Sequence, residues 1–224
     1  MGGGWTAAAR YREEVDGNLI ALDQVLRSRI ESHLAGFERQ PWSDPKLRRA
    51  AVAVTLVDDA EGEACFVLTR RASRLKDHAG QWALPGGSLD AGEGAREAAL
   101  RELSEEVGLE IGGDGILGLL DDYPTRSGFS ITPVVVWAAP GATLEANPDE
   151  VAEVYRVPLR DLEAPEVPQL RTIPESDRPV ISVPLLGSQI HAPTAAILYQ
   201  LREVALRGLN TRVSHYEQPV FAWR

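Results

Sequence analysis

One short segment constrains the possible fold of this chain more than any other part of the sequence does. Residues 94–107 have the apolar spacing of an amphipathic helix, which Gly108 is suited to end. The apolar positions form one stripe that can pack on a sheet; they are Ala95, Ala99, Leu103 and Val107. The acidic positions are three and four residues apart and share another face; they are Glu102, Glu105 and Glu106. The segment therefore predicts a helix that is anchored on one side and presents carboxylates on the other.

Three carboxylates this close repel one another and call for positive charge nearby. Oxygen ligands suit hard cations such as Mg²⁺ or Mn²⁺, which bridge phosphate oxygens and activate water. Gly86 and Gly87 precede the helix, and their lack of side chains would let a backbone carbonyl approach such an ion. A solvated acidic helix face is the simpler alternative when the three glutamates are considered alone.

The bulk composition narrows the class of protein. The chain has 224 residues and a net charge of −10, which fits one domain with or without extensions and disfavours nucleic acid as a partner. We find no run of 18 apolar residues and no signal-peptide pattern at the N-terminus, so we expect no membrane span and no secretion. Cys65 is the single cysteine, which fits a reduced, cytoplasmic location.

The order of predicted elements indicates an α+β fold, with a sheet between helices. Helices are predicted at 16–37, 94–107 and 192–206, and strands at 49–57, 64–70, 116–122, 131–138, 151–157 and 180–186. The proline-containing stretch 163–178 is predicted to be a long loop. We divide the chain into an N-terminal helical extension, 1–48, and a catalytic domain, 49–224.

The helix and the loop before it match a known pattern. Gly87, Glu93, Arg101-Glu102-Leu103, Glu105-Glu106 and Gly108-Leu109 stand at the fixed positions of the Nudix box, so residues 87–109 resemble that family's catalytic motif. The resemblance implies a Nudix fold, in which a mixed β-sheet lies between α-helices. It also implies metal-dependent hydrolysis of a nucleoside diphosphate linked to another moiety.

The resemblance further implies a role for each matching residue. The implied ligands of Mg²⁺ or Mn²⁺ are Glu102, Glu105, Glu106 and the Gly87 carbonyl. The implied catalytic set is Glu102 as a base, Arg101 to orient it, Glu105, and Glu93 assisting from the loop. A carboxylate outside the box often helps in this family, and spacing does not choose among Asp149, Glu150 and Glu153. Nudix proteins are often homodimers, and the apolar C-terminal tail permits one here.

A second resemblance narrows the substrate. Residues 67–87 are similar to the extra signature of the coenzyme A pyrophosphatase branch, with agreement at Thr69, Arg71, Ala72, Gly80 and residues 85–87. The chain departs from that signature where it has Val67, Lys76 and Leu84. The resemblance implies cleavage of coenzyme A to 4′-phosphopantetheine and adenosine 3′,5′-bisphosphate.

Four basic residues of this region are predicted to bind the phosphates of the substrate. They are Arg70, Arg71, Arg74 and Lys76. The alternatives for these four residues are a solvated basic loop or salt bridges to the abundant carboxylates. Two other functions stay open for the whole chain: cleavage of ADP-ribose or another nucleotide pyrophosphate, and nucleotide sensing without cleavage.

Overall fold

The computed structural model describes residues 19–72 and 80–223. Its α-helices are α1 (Gln24–Ala35), α2 (Ala95–Val107) and α3 (Thr194–Gln200). Its first strands are β1 (Arg48–Asp58), β2 (Ala64–Arg71), β3 (Trp82–Ala83), β4 (Gly86–Ser88), β5 (Ile116–Leu119) and β6 (Tyr123–Pro124). The others are β7 (Phe129–Trp137), β8 (Val151–Pro158), β9 (Gln169–Ile173), β10 (Ser176–Leu185) and β11 (Ser188–His191).

Strand β1 is the centre of a mixed sheet. It pairs in parallel with β7, from Arg48 opposite Phe129 to Leu56 opposite Trp137, and antiparallel with β2 and β4. The path β3-β2-β1-β7-β5 is extended by β8 on β2 and by β6 on β7. The long β1–β7 pairing places the first residues of both strands side by side at the same end of the sheet.

The two faces of this sheet are covered by different helices. Side chains alternate along a strand, so Ala51 and Ala53 face one core with Leu103 of α2, whereas Val54 and Leu56 face the core that contains α1 and α3. Small alanines on the first face let α2 pack close to the sheet. The predicted α+β fold, a mixed sheet between helices, is confirmed.

A second sheet, β11-β10-β9, corrects one prediction from the sequence. Residues 163–178 are not a long loop, since they contain β9 and the start of β10, which pair antiparallel. All but the last residue of β9 are exposed, so the strand lacks the alternation of apolar and polar residues that identifies a half-buried strand. Short β11 was missed as well.

The N-terminal helix is shorter than predicted, and residues 16–18 lie outside the described residues. Helix α1 begins at Gln24 because the Asp23 carboxylate accepts a hydrogen bond from the Leu26 amide at 2.8 Å, which caps the first turn. Its buried residues, Ile30 among them, join the same core as the C-terminal helix, which continues from α3 as a π-helical turn, Leu201–Leu206. The domain division at residue 48 stays a prediction. In the part of the chain that is described, no helix is long and apolar enough to cross a bilayer.

Candidate active site

The glycine pair before α2 brings the backbone of β4 against β1. Gly86 lies opposite Val52 in the antiparallel pairing. A Cβ at Gly86 would stand 2.4 Å from the Ala51 carbonyl oxygen and 2.7 Å from the Val52 Cα, both backbone atoms. Only glycine fits there, and this close approach holds the loop that follows at the N-terminal end of α2.

Three carboxylates converge beside this loop. One oxygen from each of Glu102, Glu106 and Glu150 lies within 4.8 Å of the other two. Glu102 and Glu106 are one helical turn apart on α2, and Glu106 is buried. Its Oε2 accepts a hydrogen bond from the Gly86 amide at 3.2 Å. An all-oxygen group of this size matches the donor set of a hard divalent cation.

Backbone hydrogen bonds position the segment that carries Glu150. The amides of Glu145 and Asn147 donate to the carbonyls of Val107 and Glu106 at the end of α2, each at 2.9 Å. The Glu150 carbonyl in turn accepts from the Ala72 amide at 2.9 Å, just past β2. The segment before β8 is thus fixed between the helix and the sheet, with Glu150 beside the box.

The other two carboxylates considered outside the box lie elsewhere. Glu153 is exposed on β8, opposite Arg70, and accepts a hydrogen bond from the Tyr155 hydroxyl. Asp149 lies next to Glu150 in sequence, and its amide donates to the Asn147 side chain at 3.1 Å. Neither carboxylate is part of the three-oxygen cluster in the described residues.

Arg101 forms hydrogen bonds with three carboxylates of the box. Its guanidinium donates to Glu93, Glu102 and Glu105, each at 2.9 Å, and to the Ser88 carbonyl at 3.1 Å. The side chain of Glu105 is 52% exposed and points to Arg101 rather than to the cluster. Arg101 therefore fixes the position of the Glu102 carboxylate from the side, while Glu105 stays near the solvent.

The electrostatics of the cluster fit a cation. Burial raises the pKa of Glu106 to about 7, although Arg71 and the Gly86 amide oppose the shift and the charges of Glu102 and Glu150 add to it. Burial also raises the pKa of Glu102, against the effect of Arg101. The hydrogen bond from Arg101 lowers the pKa of Glu93. Negative charge gathered in a partly buried place is unfavourable by itself, and a bound divalent cation would relieve it.

The predicted phosphate-binding residues fall into three groups. Arg71 lines a cleft next to the cluster, and its Nη1 lies 3.6 Å from Glu106 Oε1. Its Nε is buried and has no hydrogen-bond partner in the described part of the chain. Arg70 is exposed and lies over the ring of Trp82, at 5.9 Å from the ring centroid. Arg74 and Lys76 lie outside the described residues.

The cleft has a volume of about 690 Å³, and Gly86 and Gly87 are among its lining residues. It also contains Arg48, a residue that sequence reasoning missed. The Arg48 guanidinium lies 4.0 Å from the centroid of the Phe129 ring, across the β1–β7 pairing. No local pattern marks Arg48, because its position depends on the register between strands far apart in the chain.

With this geometry in place, the comparisons with known proteins identify the family. The model of the NUDIX domain matches residues 47–181, and the chain belongs to the Nudix family. The chain is similar to proteins named "Uncharacterized Nudix hydrolase NudL". The one from Citrobacter koseri is 39% identical over 115 residues, which are 51% of this chain and 59% of that protein. The one from Pectobacterium atrosepticum is 41% identical over 113 residues, which are 50% of this chain and 58% of that protein.

The aligned region thus spans a little under three fifths of these two relatives. Among solved structures, the chain is similar to RenU, a Nudix hydrolase from M. smegmatis, with 21% identity and a TM-score of 0.47. That match covers 71% of this chain and 86% of the other. A MutT protein from Methanosarcina mazei Go1 has 23% identity and a TM-score of 0.42, over 58% of this chain and 86% of the other.

Proposed function

We propose that this protein hydrolyses the pyrophosphate bond of a nucleoside diphosphate linked to another group. The observation that carries the proposal is the convergence of Glu102, Glu106 and Glu150, with oxygens within 4.8 Å of one another, beside a cleft. We propose these three residues as the protein's ligands for Mg²⁺ or Mn²⁺. The box implies Glu105 as a ligand too, but its exposed carboxylate accepts a hydrogen bond from Arg101 and is not part of the three-oxygen cluster in the described residues.

The residues of the chain have separate tasks in this reaction. A bound divalent cation would screen the phosphate charges and make a water easier to deprotonate. Glu102 is proposed to accept the proton of the attacking water on a carboxylate oxygen. Arg101 holds Glu102 in place, and Glu93 holds Arg101. Arg71 is proposed to bind the phosphates and stabilise the charge that develops on their oxygens.

Coenzyme A is the proposed substrate. The signature residues 67–87 support this choice, and so do the two arginines in the cleft, Arg48 and Arg71, because coenzyme A carries a 3′-phosphate beyond its pyrophosphate. One water would add across the P–O–P bridge. The products would be 4′-phosphopantetheine and adenosine 3′,5′-bisphosphate.

Product analysis tests the proposal. The purified protein would be incubated with Mg²⁺ or Mn²⁺ and, separately, coenzyme A, ADP-ribose, NADH, diadenosine polyphosphates and nucleoside triphosphates. Adenosine 3′,5′-bisphosphate from coenzyme A, formed faster than any other product, is the expected result. AMP from ADP-ribose as the main product would keep the chemistry and reject the coenzyme A assignment. Binding without any cleavage would favour nucleotide sensing.

Two variants and a chelator control this experiment. Glu106→Gln removes a buried charge of the cluster and should lose nearly all turnover, while Glu153→Gln alters an exposed carboxylate on β8 and should stay active. EDTA should abolish the activity of the wild-type protein, and added Mg²⁺ should restore it. Thermal unfolding of both variants would show that the loss does not come from misfolding. A fully active Glu106→Gln variant would reject the metal site.

A further inference from the structure

Part of the cleft lining lies beyond residue 181, where the match to the family domain ends. Strand β11, the start of α3 and the C-terminal tail contribute this part of the lining. Its cleft-lining members include Gln189, His191, Thr194, Gln218, Phe221 and Ala222. Gly86 and Arg71, which both contact Glu106, line the same cleft. One cleft thus joins the loop beside the carboxylates to the tail.

Hydrogen bonds and an ion pair hold the C-terminal tail in place. The Glu217 amide donates to the Pro179 carbonyl at 2.8 Å, which places the tail beside β10. The Glu217 carboxylate pairs with Arg126 in the loop before β7, and the Arg126 amide donates to the Gln218 side chain at 2.6 Å. The Trp223 indole donates to the Gln218 carbonyl at 2.9 Å. These bonds fix the backbone on both sides of Phe221.

Phe221 is a large apolar side chain left open on this fixed backbone. It is 61% exposed, and its ring meets the His191 ring edge to face, with centroids 5.5 Å apart. Phe129 and Trp82 also line the cleft, so three separate parts of the chain contribute aromatic residues to it. Exposed rings on a rigid support are typical of sites that stack planar bases.

A positive charge lies in the same cleft. Arg48 is stacked on Phe129, and within residues 19–72 and 80–223 it pairs with no carboxylate. A guanidinium that is not paired with a carboxylate can bind a phosphate group. Aromatic rings and a cation together match the chemistry of a nucleotide rather than that of the uncharged pantetheine arm.

We propose that Phe221, in the C-terminal tail, stacks on the nucleobase of the substrate and makes the tail part of the specificity site. The inference rests on the proposed nucleotide substrate. It adds to that proposal the position of the base, in a region that the family domain does not cover.

Binding of the two proposed products tests this inference without any turnover. Calorimetry would measure the affinity of adenosine 3′,5′-bisphosphate and of 4′-phosphopantetheine for the wild-type protein and for Phe221→Ala. The loss of one stacking contact should weaken adenosine 3′,5′-bisphosphate about tenfold and leave 4′-phosphopantetheine within about twofold. Phe221→Trp should restore the affinity.

Val220→Ala is the matched control, because Val220 is 43% exposed next to Phe221 and does not line the cleft. Its affinities should equal those of the wild type. The inference is overturned if the wild type does not bind adenosine 3′,5′-bisphosphate, if Phe221→Ala binds it normally, or if only 4′-phosphopantetheine is weakened. A wild type that binds the nucleotide in this Phe221-dependent way but cleaves nothing would refute the proposed function alone.

Discussion

Gly87 faces the Glu102 carboxylate so closely that no other residue fits without moving it. A Cβ at Gly87 would lie 2.2 Å from Glu102 Oε1 and 2.6 Å from the carboxyl carbon. Both atoms are at the far end of a flexible side chain, so the carboxylate can move aside, at the expense of its hydrogen bond from Arg101, while the backbone stays. The glycine that begins the box therefore also defines where the proposed base stands.

Gly87→Ala should fold normally and lose activity. Displacing a catalytic group by about 1 Å can cost about 100-fold in rate, so we expect kcat/KM to fall by about that factor. Gly113→Ala is the control, since a Cβ at Gly113 has no atom within 4 Å. Steady-state kinetics and thermal unfolding of both variants would decide. Wild-type kinetics for Gly87→Ala would mean that the position of Glu102 does not matter.

Glu150→Gln tests which carboxylate outside the box serves the site. Because Glu150 belongs to the three-oxygen cluster and Glu153 does not, Glu150→Gln should lower kcat and Mn²⁺ affinity by at least about tenfold. Glu153→Gln should keep both within about twofold. Mn²⁺ titration followed by electron paramagnetic resonance gives a measurement that is independent of turnover. The reverse order of the two variants would assign the role to Glu153.

The variant Arg101→Lys tests whether the planar geometry of the guanidinium matters in addition to its positive charge. Lysine keeps the positive charge but lacks the planar fork that reaches Glu93, Glu102 and Glu105 together. We expect kcat to fall at least about tenfold with KM nearly unchanged, because Arg101 positions the proposed base rather than the substrate. Arg96→Lys, on the exposed side of the same helix, should behave like the wild type. A rise in KM alone would instead point to contact with the substrate.

Low pH should reduce the stability that Glu217 gives to the C-terminal tail. Burial by itself would raise the pKa of Glu217, but hydrogen bonds from Arg126, the Gln218 amide and Ser176 lower it to about 2, from an ordinary value of 4.5. A lowered pKa contributes stability that is present above pH 4.5 and is lost as the pH falls toward about 2.

The variant Glu217→Gln lacks this contribution at every pH. The wild type should therefore exceed Glu217→Gln in free energy of unfolding at neutral pH, and the difference should shrink between pH 4.5 and about 2. Urea unfolding at several pH values measures it. A difference that is constant over this window would show that the charge of Glu217 does not stabilise the tail.

Local patterns in the sequence predict much of the fold and part of the site. Helix α2, its apolar stripe around Leu103 and the β1–β2 hairpin follow from periodicity, which depends on neighbours in sequence. The choice of Glu150 among three carboxylates depends on hydrogen bonds between residues some 40 apart. The position of Arg48 depends on the parallel register with Phe129, and that of Phe221 on how the tail folds back. No pattern within one element contains these pairings.

The hydrogen bonds that hold the segment before Glu150 join backbone amides of Glu145 and Asn147 to backbone carbonyls of α2. Side chains take no part in these two bonds, so the bonds depend on the backbone of the segment and not on the side chains of Glu145 and Asn147. Segment length is what we expect to matter, since removing a single residue would carry Glu150 away from Glu102 and Glu106. The length of this segment thus sets how far Glu150 stands from the end of α2.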